Sequence, residues 1–172
     1  MKIIQSAKIR DVITLQPEIF YDHRGENVET FYSEAFKSNC KRFGIPELDF
    51  KVDSFSFSKK NVLRGFHGDN KTWKLVQCLQ GEIQLAIIDI RENSATVNAV
   101  ETFFLNDRNR FQVLIPAGCV NAHLCLSDTC IFAYKLSYHY VRQDEQLHVK
   151  WNDVRYNLYW PIQNPILSKR DS

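Results

Sequence analysis

Arg64, His67 and Lys74 are the residues of this chain best placed to do chemistry. His67 closes the run Val62-Leu63-Arg64-Gly65-Phe66-His67, two residues after a glycine and three after an arginine, between two strand-like segments. Lys74 follows seven residues on and opens the apolar run Lys74-Leu75-Val76. Forty residues later, Leu114-Ile115-Pro116-Ala117-Gly118 opens a further strand. Arginine suits phosphate, histidine suits proton transfer near neutral pH, and lysine suits an oxyanion. On a rigid β scaffold the three fit proton chemistry beside a carbonyl in a phosphorylated substrate. They equally fit a core histidine next to a surface arginine, and position alone leaves both readings open.

The elements that must position them are mostly strands. At 172 residues the chain fits one domain with a sizeable core. Twelve phenylalanines among 13% aromatics favour a β-rich interior. A net charge of +2 implies no general polyanion affinity, so any phosphate site must be a local cluster. The five cysteines, Cys40, Cys78, Cys119, Cys125 and Cys130, are odd in number and form no CxxC pair. That argues against a disulfide framework or zinc knuckle and for small core residues. No signal-peptide h-region or membrane-length apolar run is found, and a cytoplasmic location is the expectation.

Residues 33–43 read as a helix with Ser33 as N-cap, Phe36, Cys40 and Phe43 on one face, and Gly44 at the stop. Asp53 to Ser58 alternates with period two, as a half-buried strand does. Lys74 to Leu79 and Glu82 to Ile90 flank Gln80-Gly81, a hairpin-like break. Phe103 to Leu105, Gln112 to Ile115 and Cys130 to Leu136 supply more strands. Many short strands separated by turns indicate a sandwich or a jelly-roll barrel.

The Pro116-Ala117-Gly118 turn after an apolar strand resembles the second motif of cupins, many of which bind a metal. Here His67 is followed by Gly68 and Asp69, so the HxH pair of metal cupins is missing. The later ligand slot is Asn121, a poor ligand, and His123 would point the same way only on a regular strand. A first-row metal normally needs three or more converging ligands, and ligand counting yields His67 and at most His123. No metal site is expected.

Several colinear motifs together resemble the RmlC-type cupins, the nucleotide-diphosphate 4-keto-sugar 3,5-epimerases. They are Phe20-Tyr21-Asp22-His23-Arg24-Gly25, Glu29, Ser56-Phe57-Ser58, Val62 to His67, Lys74-Leu75-Val76, Ile115-Pro116-Ala117-Gly118, Tyr134-Lys135, Trp151-Asn152-Asp153, Trp160-Pro161 and Leu167 to Asp171. The resemblance implies an all-β, cupin-type jelly-roll barrel with a few short helices, a single domain over residues 1–172. It implies His67 as the base at carbon 3 and carbon 5, Asp171 as its orienting partner, Tyr134 as the acid on the opposite face, and Lys74 as the cation at the enolate oxygen. Arg24 and Arg64 would hold the pyrophosphate. Glu29, Ser54, Asn121, Glu145 and Arg170 would line the substrate site, and Tyr140 would stack on the nucleobase. It further implies a homodimer with exchanged N-terminal strands and no nucleic-acid or membrane partner. Within the family the chain looks most like bacterial enzymes acting on GDP-linked 4-keto-heptoses in capsule synthesis. No cofactor is required, because the substrate carbonyl is itself the electron sink.

The chain departs from the family pattern near the substrate. The usual G-F-A-H-G-F appears as Gly118-Cys119-Val120-Asn121-Ala122-His123, and the usual Q-D-N as Val52-Asp53-Ser54. An aromatic residue after the D-x-R-G motif is replaced by Glu26-Asn27. The same chemistry on a different sugar or base is the expectation. Two alternatives stay open: a 3,4-ketoisomerase on the same substrate class, and a non-catalytic cupin that binds sugar nucleotides. Alone, Tyr134 would read as a core tyrosine, Lys74 as an edge-strand solubiliser and Asp171 as part of a frayed terminus.

Overall fold

The computed structural model describes residues 1–139 and 141–172. Among the described residues thirteen strands run in chain order: β1 Lys2–Gln5, β2 Ile13–Gln16, β3 Ile19–Asp22, β4 Gly25–Val28, β5 Val52–Lys59, β6 Leu63–Gly68, β7 Lys74–Gln80, β8 Glu82–Asp89, β9 Val100–Asn106, β10 Gln112–Ile115, β11 Cys119–Cys125, β12 Thr129–Leu136 and β13 Leu147–His148. One helix, α1, spans Ser33–Arg42, and 3-10 turns cover Gln143–Glu145 and Val154–Tyr156. A six-stranded sheet (β1-β2-β10-β7-β12-β5) faces a five-stranded sheet (β13-β6-β11-β8-β9), and β3-β4 forms a separate hairpin. All pairings between these strands are antiparallel. The architecture is the expected jelly roll.

Three apolar clusters hold it together. The inner faces of the two sheets meet at Val76, Cys78, Ile83, Leu85, Ile87, Val113 and Phe132. The outer face of the six-stranded sheet is covered by α1, where Phe36 and Cys40 pack on Ile13, Leu15, Leu75 and Leu114. The outer face of the five-stranded sheet is covered by the C-terminal segment, with Val149 and Trp160 on Leu63, Phe66 and Leu124. All five cysteines are free and buried, and burial raises the thiol of Cys40 to about 11.

Two local expectations need correction. Ser33 is the first helical residue of α1; the N-cap is Tyr32, in extended conformation and without a side-chain cap bond. Gly44 does close the helix, at φ +70°. The break at Gln80-Gly81 is a corner between sheets rather than a hairpin. β7 pairs with β10 and β12 while β8 pairs with β9 and β11. Glycine is required there because φ is +78° and a Cβ would stand 2.2 Å from the carbonyl oxygen of Thr129. β5 keeps its period of two with the opposite sense to an ordinary amphipathic strand. Phe55 and Phe57 point outward, 68% and 52% exposed, and the serines point inward.

The C-terminus is an ordered part of the fold. Ile166 bridges Val62 beside β6, its amide donating to the carbonyl of Asn61 and its carbonyl accepting from Leu63. Trp160 donates its indole N–H to the carbonyl of Trp151. These contacts bring the last residues back to the strand that carries His67.

Candidate active site

The two sheets part at one end of the barrel to leave a cavity of about 280 Å³. Most of its wall is built from alternate residues of the strands, as period two dictates, while β6 contributes Arg64 and His67, three apart at an irregularity in its ladder with β11. β7 gives Lys74 and Val76, β11 gives Asn121 and His123, β12 gives Phe132, Tyr134 and Leu136, β5 gives Ser56, and β6 gives Arg64 and His67. His67 lies inside β6, not between strands. β6 approaches β11 closely: Gly65 has φ +125°, and a Cβ there would meet Ala122 at 2.6 Å.

Nε2 of His67 lies 2.6 Å from Oδ1 of Asp171. A carboxylate only accepts, so the imidazole donates through Nε2 and keeps its lone pair on Nδ1. Asp171 is buried, and its second oxygen accepts from the Ser168 hydroxyl at 2.9 Å. Burial lowers the pKa of His67, Asp171 raises it, and Arg170 lowers it, with the net below the ordinary value. The ring is therefore a neutral base at neutral pH.

Lys74 is half-buried, with its ammonium the part shut away from water, and that burial lowers it to about 8. It donates to Oδ1 of Asn121 at 2.9 Å and to the backbone carbonyl of His67 at 3.0 Å. An ammonium has three donors, so one remains for an oxygen bound in the cavity. Tyr134 stands on β12 in the opposite sheet from His67, and its hydroxyl makes no hydrogen bond among the described residues. Base and phenol thus face one cavity from two sides.

The remaining expected residues divide. Arg64 lines the cavity, donating to the hydroxyl of Ser58 and the carbonyl of Phe57. Asn121 lines it and is nearly fully buried. Ser54 does not; it lies opposite Tyr134 on β5, and Ser56, one strand repeat away, is the lining serine. Arg170 is close enough to act on His67 yet lies outside the wall. Glu145 is an exposed residue paired with Lys71 at 2.8 Å, also outside the wall. Arg24 and Glu29 are exposed at the β3-β4 hairpin, where Arg24 pairs with Asp22. Within one chain they do not reach the cavity. Tyr140 lies outside the described residues.

Ser56 and His148 escaped sequence reasoning, as did the lining residues Thr72, His139, Val141 and Gln146. Ser56 was visible as one of the serines alternating along β5. His148 had no signal, since β13 is two residues long and shows no period. It pairs directly across from His67, with the rings stacked at 5.6 Å between centroids. His123 does face the cavity, stacked on Phe132 at 4.0 Å. Burial, then the positive charge of Arg64, lowers it to about 3, so it is neutral.

The model of the dTDP-4-dehydrorhamnose 3,5-epimerase family matches residues 6–172. A relative of that name from Shigella flexneri is 34% identical over 174 residues, covering 99% of this chain and 93% of its own. The crystal structure of the Bacillus anthracis enzyme of the same name, with TDP and pyrophosphate bound, superposes with a TM-score of 0.90 at 30% identity, over 99% of this chain and 95% of that one. The Legionella pneumophila RmlC structure, in complex with dTDP-4-keto-L-rhamnose, gives 0.89 at 31% identity, over 99% and 89%.

The pairing of His67 with Asp171 has a direct consequence. Asp171→Asn removes a group that raises the imidazole pKa, so His67 should titrate lower in the variant than in the native protein, itself below the ordinary value. Histidine-selective NMR titration in chelator-treated buffer reads both values; an unchanged or higher pKa in Asp171→Asn would contradict the assignment.

Proposed function

The chain belongs to the dTDP-4-dehydrorhamnose 3,5-epimerase family and is a nucleotide-sugar epimerase; we propose that its cavity inverts carbon 3, carbon 5 or both of a nucleotide-diphosphate 4-keto sugar through an enolate. The observation that carries the roles is the placement of His67 and Tyr134 on opposing sheets around one cavity. Inversion requires removal of a proton from one face of a carbon and delivery to the other. A sugar held between the sheets meets a base on one side and a phenol on the other.

The steps follow from the geometry. Nδ1 of His67 takes the proton alpha to the ketone, and the imidazolium that forms is stabilised by Asp171. Negative charge develops on the oxygen at carbon 4, where the free N–H of Lys74 meets it. A preorganised cation in a partly dry site is the arrangement that stabilises such an oxyanion. Tyr134 then protonates the opposite face. Carbons 3 and 5 are both alpha to the same carbonyl, so one base, one cation and one acid serve either. Arg64 supplies the charge for the diphosphate. No step draws on a metal.

Incubation with 4-keto sugars linked to dTDP and to GDP, in D2O, tests the reading through deuterium uptake and product NMR, with moved carbonyls marking a ketoisomerase. Exhaustive chelation should leave turnover intact. His67→Asn should lose exchange at every sugar carbon, a fall of roughly 10²–10⁴-fold as for a lost general base. Asp171→Asn should cost less, roughly 10–100-fold. Tyr134→Phe should keep deuterium uptake while losing inverted product, because His67 can return a deuteron to the same face. Inversion by Tyr134→Phe at the native rate would place the acid elsewhere.

The pH dependence follows from the same groups. In chelator-treated buffer kcat/KM should rise as His67 loses its proton, below the ordinary imidazole value of about 6.5. It should fall again near pH 8 as Lys74 loses its charge, the group having been lowered to about 8 by burial. A flat profile to pH 10 would remove Lys74 from the oxyanion role.

Homodimerisation is part of this reading. The exposed Phe55 and Phe57 face on edge strand β5, and the projecting hairpin with Phe20 and Tyr21, offer apolar surface for a second copy. Arg24 and Glu29 would then enter the partner's cavity. Arg24→Ala and His67→Asn should each be impaired alone, and refolded mixtures of the two should regain activity, since the mixed dimer restores one whole site. No recovery from dimers shown to be mixed would place Arg24 in its own chain's site.

A further inference from the structure

We infer that His67, His148 and Asp171 form a binding site for a divalent transition metal such as Zn²⁺, and that metal there switches the catalytic base off. The inference rests on His67 being that base. Potential ligand atoms of the three residues all lie within 4.8 Å of one another. Oδ1 of Asp171 is 2.6 Å from Nε2 of His67 and 3.8 Å from Nε2 of His148.

Three separate parts of the fold converge there. His67 and His148 are a cross-strand pair of β6 and β13, and side chains directly opposite in an antiparallel ladder share a face. Asp171 comes from the folded-back tail, tied down by Ser168. Zinc holds nitrogen and oxygen ligands at about 2.0–2.2 Å, which puts tetrahedral ligands roughly 3.3 Å apart. The two histidines must close by at most about 1.5 Å to meet that spacing, and His148 sits on an exposed two-residue strand at the edge of its sheet. A water completes the sphere on the exposed side. Two imidazoles and a carboxylate suit zinc and its neighbours in the first row better than magnesium or calcium. Arg170 is nearby and its charge opposes the metal, which limits affinity.

The site lies behind the base, since neither His148 nor Asp171 lines the cavity. That position makes the metal inhibitory. In the metal-free protein the single proton of neutral His67 is on Nε2 and the lone pair on Nδ1. A metal on Nε2 takes the lone pair there, so the proton moves to Nδ1. The proton count is unchanged, Asp171 passes from hydrogen-bond acceptor to ligand, and the nitrogen that must accept the substrate proton is already protonated.

The test uses the metal-free native protein and His148→Gln, both checked for folding by circular dichroism. One equivalent of Co²⁺ should give the visible bands of a low-coordinate nitrogen-oxygen site in the native protein and none in the variant. Zn²⁺ should abolish deuterium exchange into substrate by the native protein, with recovery on adding EDTA. His148→Gln should retain exchange without metal and need at least about tenfold more zinc for the same fractional inhibition, the loss that even an outer partner of a ligand costs. Absence of Co²⁺ bands in the native protein, or bands equal in His148→Gln, overturns the site. Bands that depend on His148 together with undiminished exchange overturn the switch. Failure of the catalytic reading shows separately, as exchange retained by metal-free His67→Asn.

Discussion

The contact between Asp171 and His67 is the one on which the site depends. It joins a residue one position from the chain end to the middle of β6, and it does so in a buried place. Because the carboxylate can only accept, it selects the tautomer of the imidazole and so decides which nitrogen is basic. Because Asp171 is the end of a segment that also packs Trp160 on Phe66 and bridges Val62, tail docking and base orientation are one structural event. The backbone carbonyl of His67 then holds Lys74, so the strand that positions the imidazole also positions the ammonium.

Charge around that pair is used sparingly. Lys74 is the one ammonium in the wall of the cavity among the described residues, and its partners there are a carbonyl and an amide, neither of which neutralises it. A carboxylate in direct contact would stabilise the ammonium and compete with the developing enolate. Asn121 fills the slot where the family pattern has a histidine; it accepts from Lys74 and cannot add a second positive charge. His123, the histidine this chain does carry nearby, is kept neutral by burial and by Arg64.

Much of this was legible in the sequence for physical reasons. Alternation revealed β5, and the i, i+4, i+7 spacing of Phe36, Cys40 and Phe43 revealed α1, because each pattern reports one buried face. What alternation does not report is the direction of that face. β5 turns its phenylalanines outward, and an isolated strand carries no information on which side another surface will cover. Nor does a glycine turn say which sheet the next strand joins, so Gln80-Gly81 read as a hairpin although it is a corner. The base, cation and phenol were legible as an ordered set of motifs. His148 was not, because its relation to His67 is created by cross-strand register in a two-residue strand, and register lies in the fold rather than in local sequence.

The same register separates chemistry from recognition. His67 pairs with Asn121 across β6 and β11, and Arg64 pairs with His123. Tyr134 pairs with Ser54 across β12 and β5, and Phe132 pairs with Ser56. The walls therefore carry two rungs, one strand repeat or about 7 Å apart on β11, β12 and β5 and three residues apart on β6, where the register with β11 shifts. The first holds base, amide and phenol; the second holds Arg64, His123, Phe132 and Ser56. On the second rung Nε2 of His123 and the hydroxyl of Ser56 are buried without hydrogen-bond partners among the described residues, a condition that costs free energy until a ligand or water supplies them. A change of side chain on that rung alters what the cavity prefers to hold while leaving the proton-transfer groups where they are. This chain's departure at His123 falls on the second rung, and the one at Asn121 exchanges a side chain on the first without displacing His67, Lys74 or Tyr134.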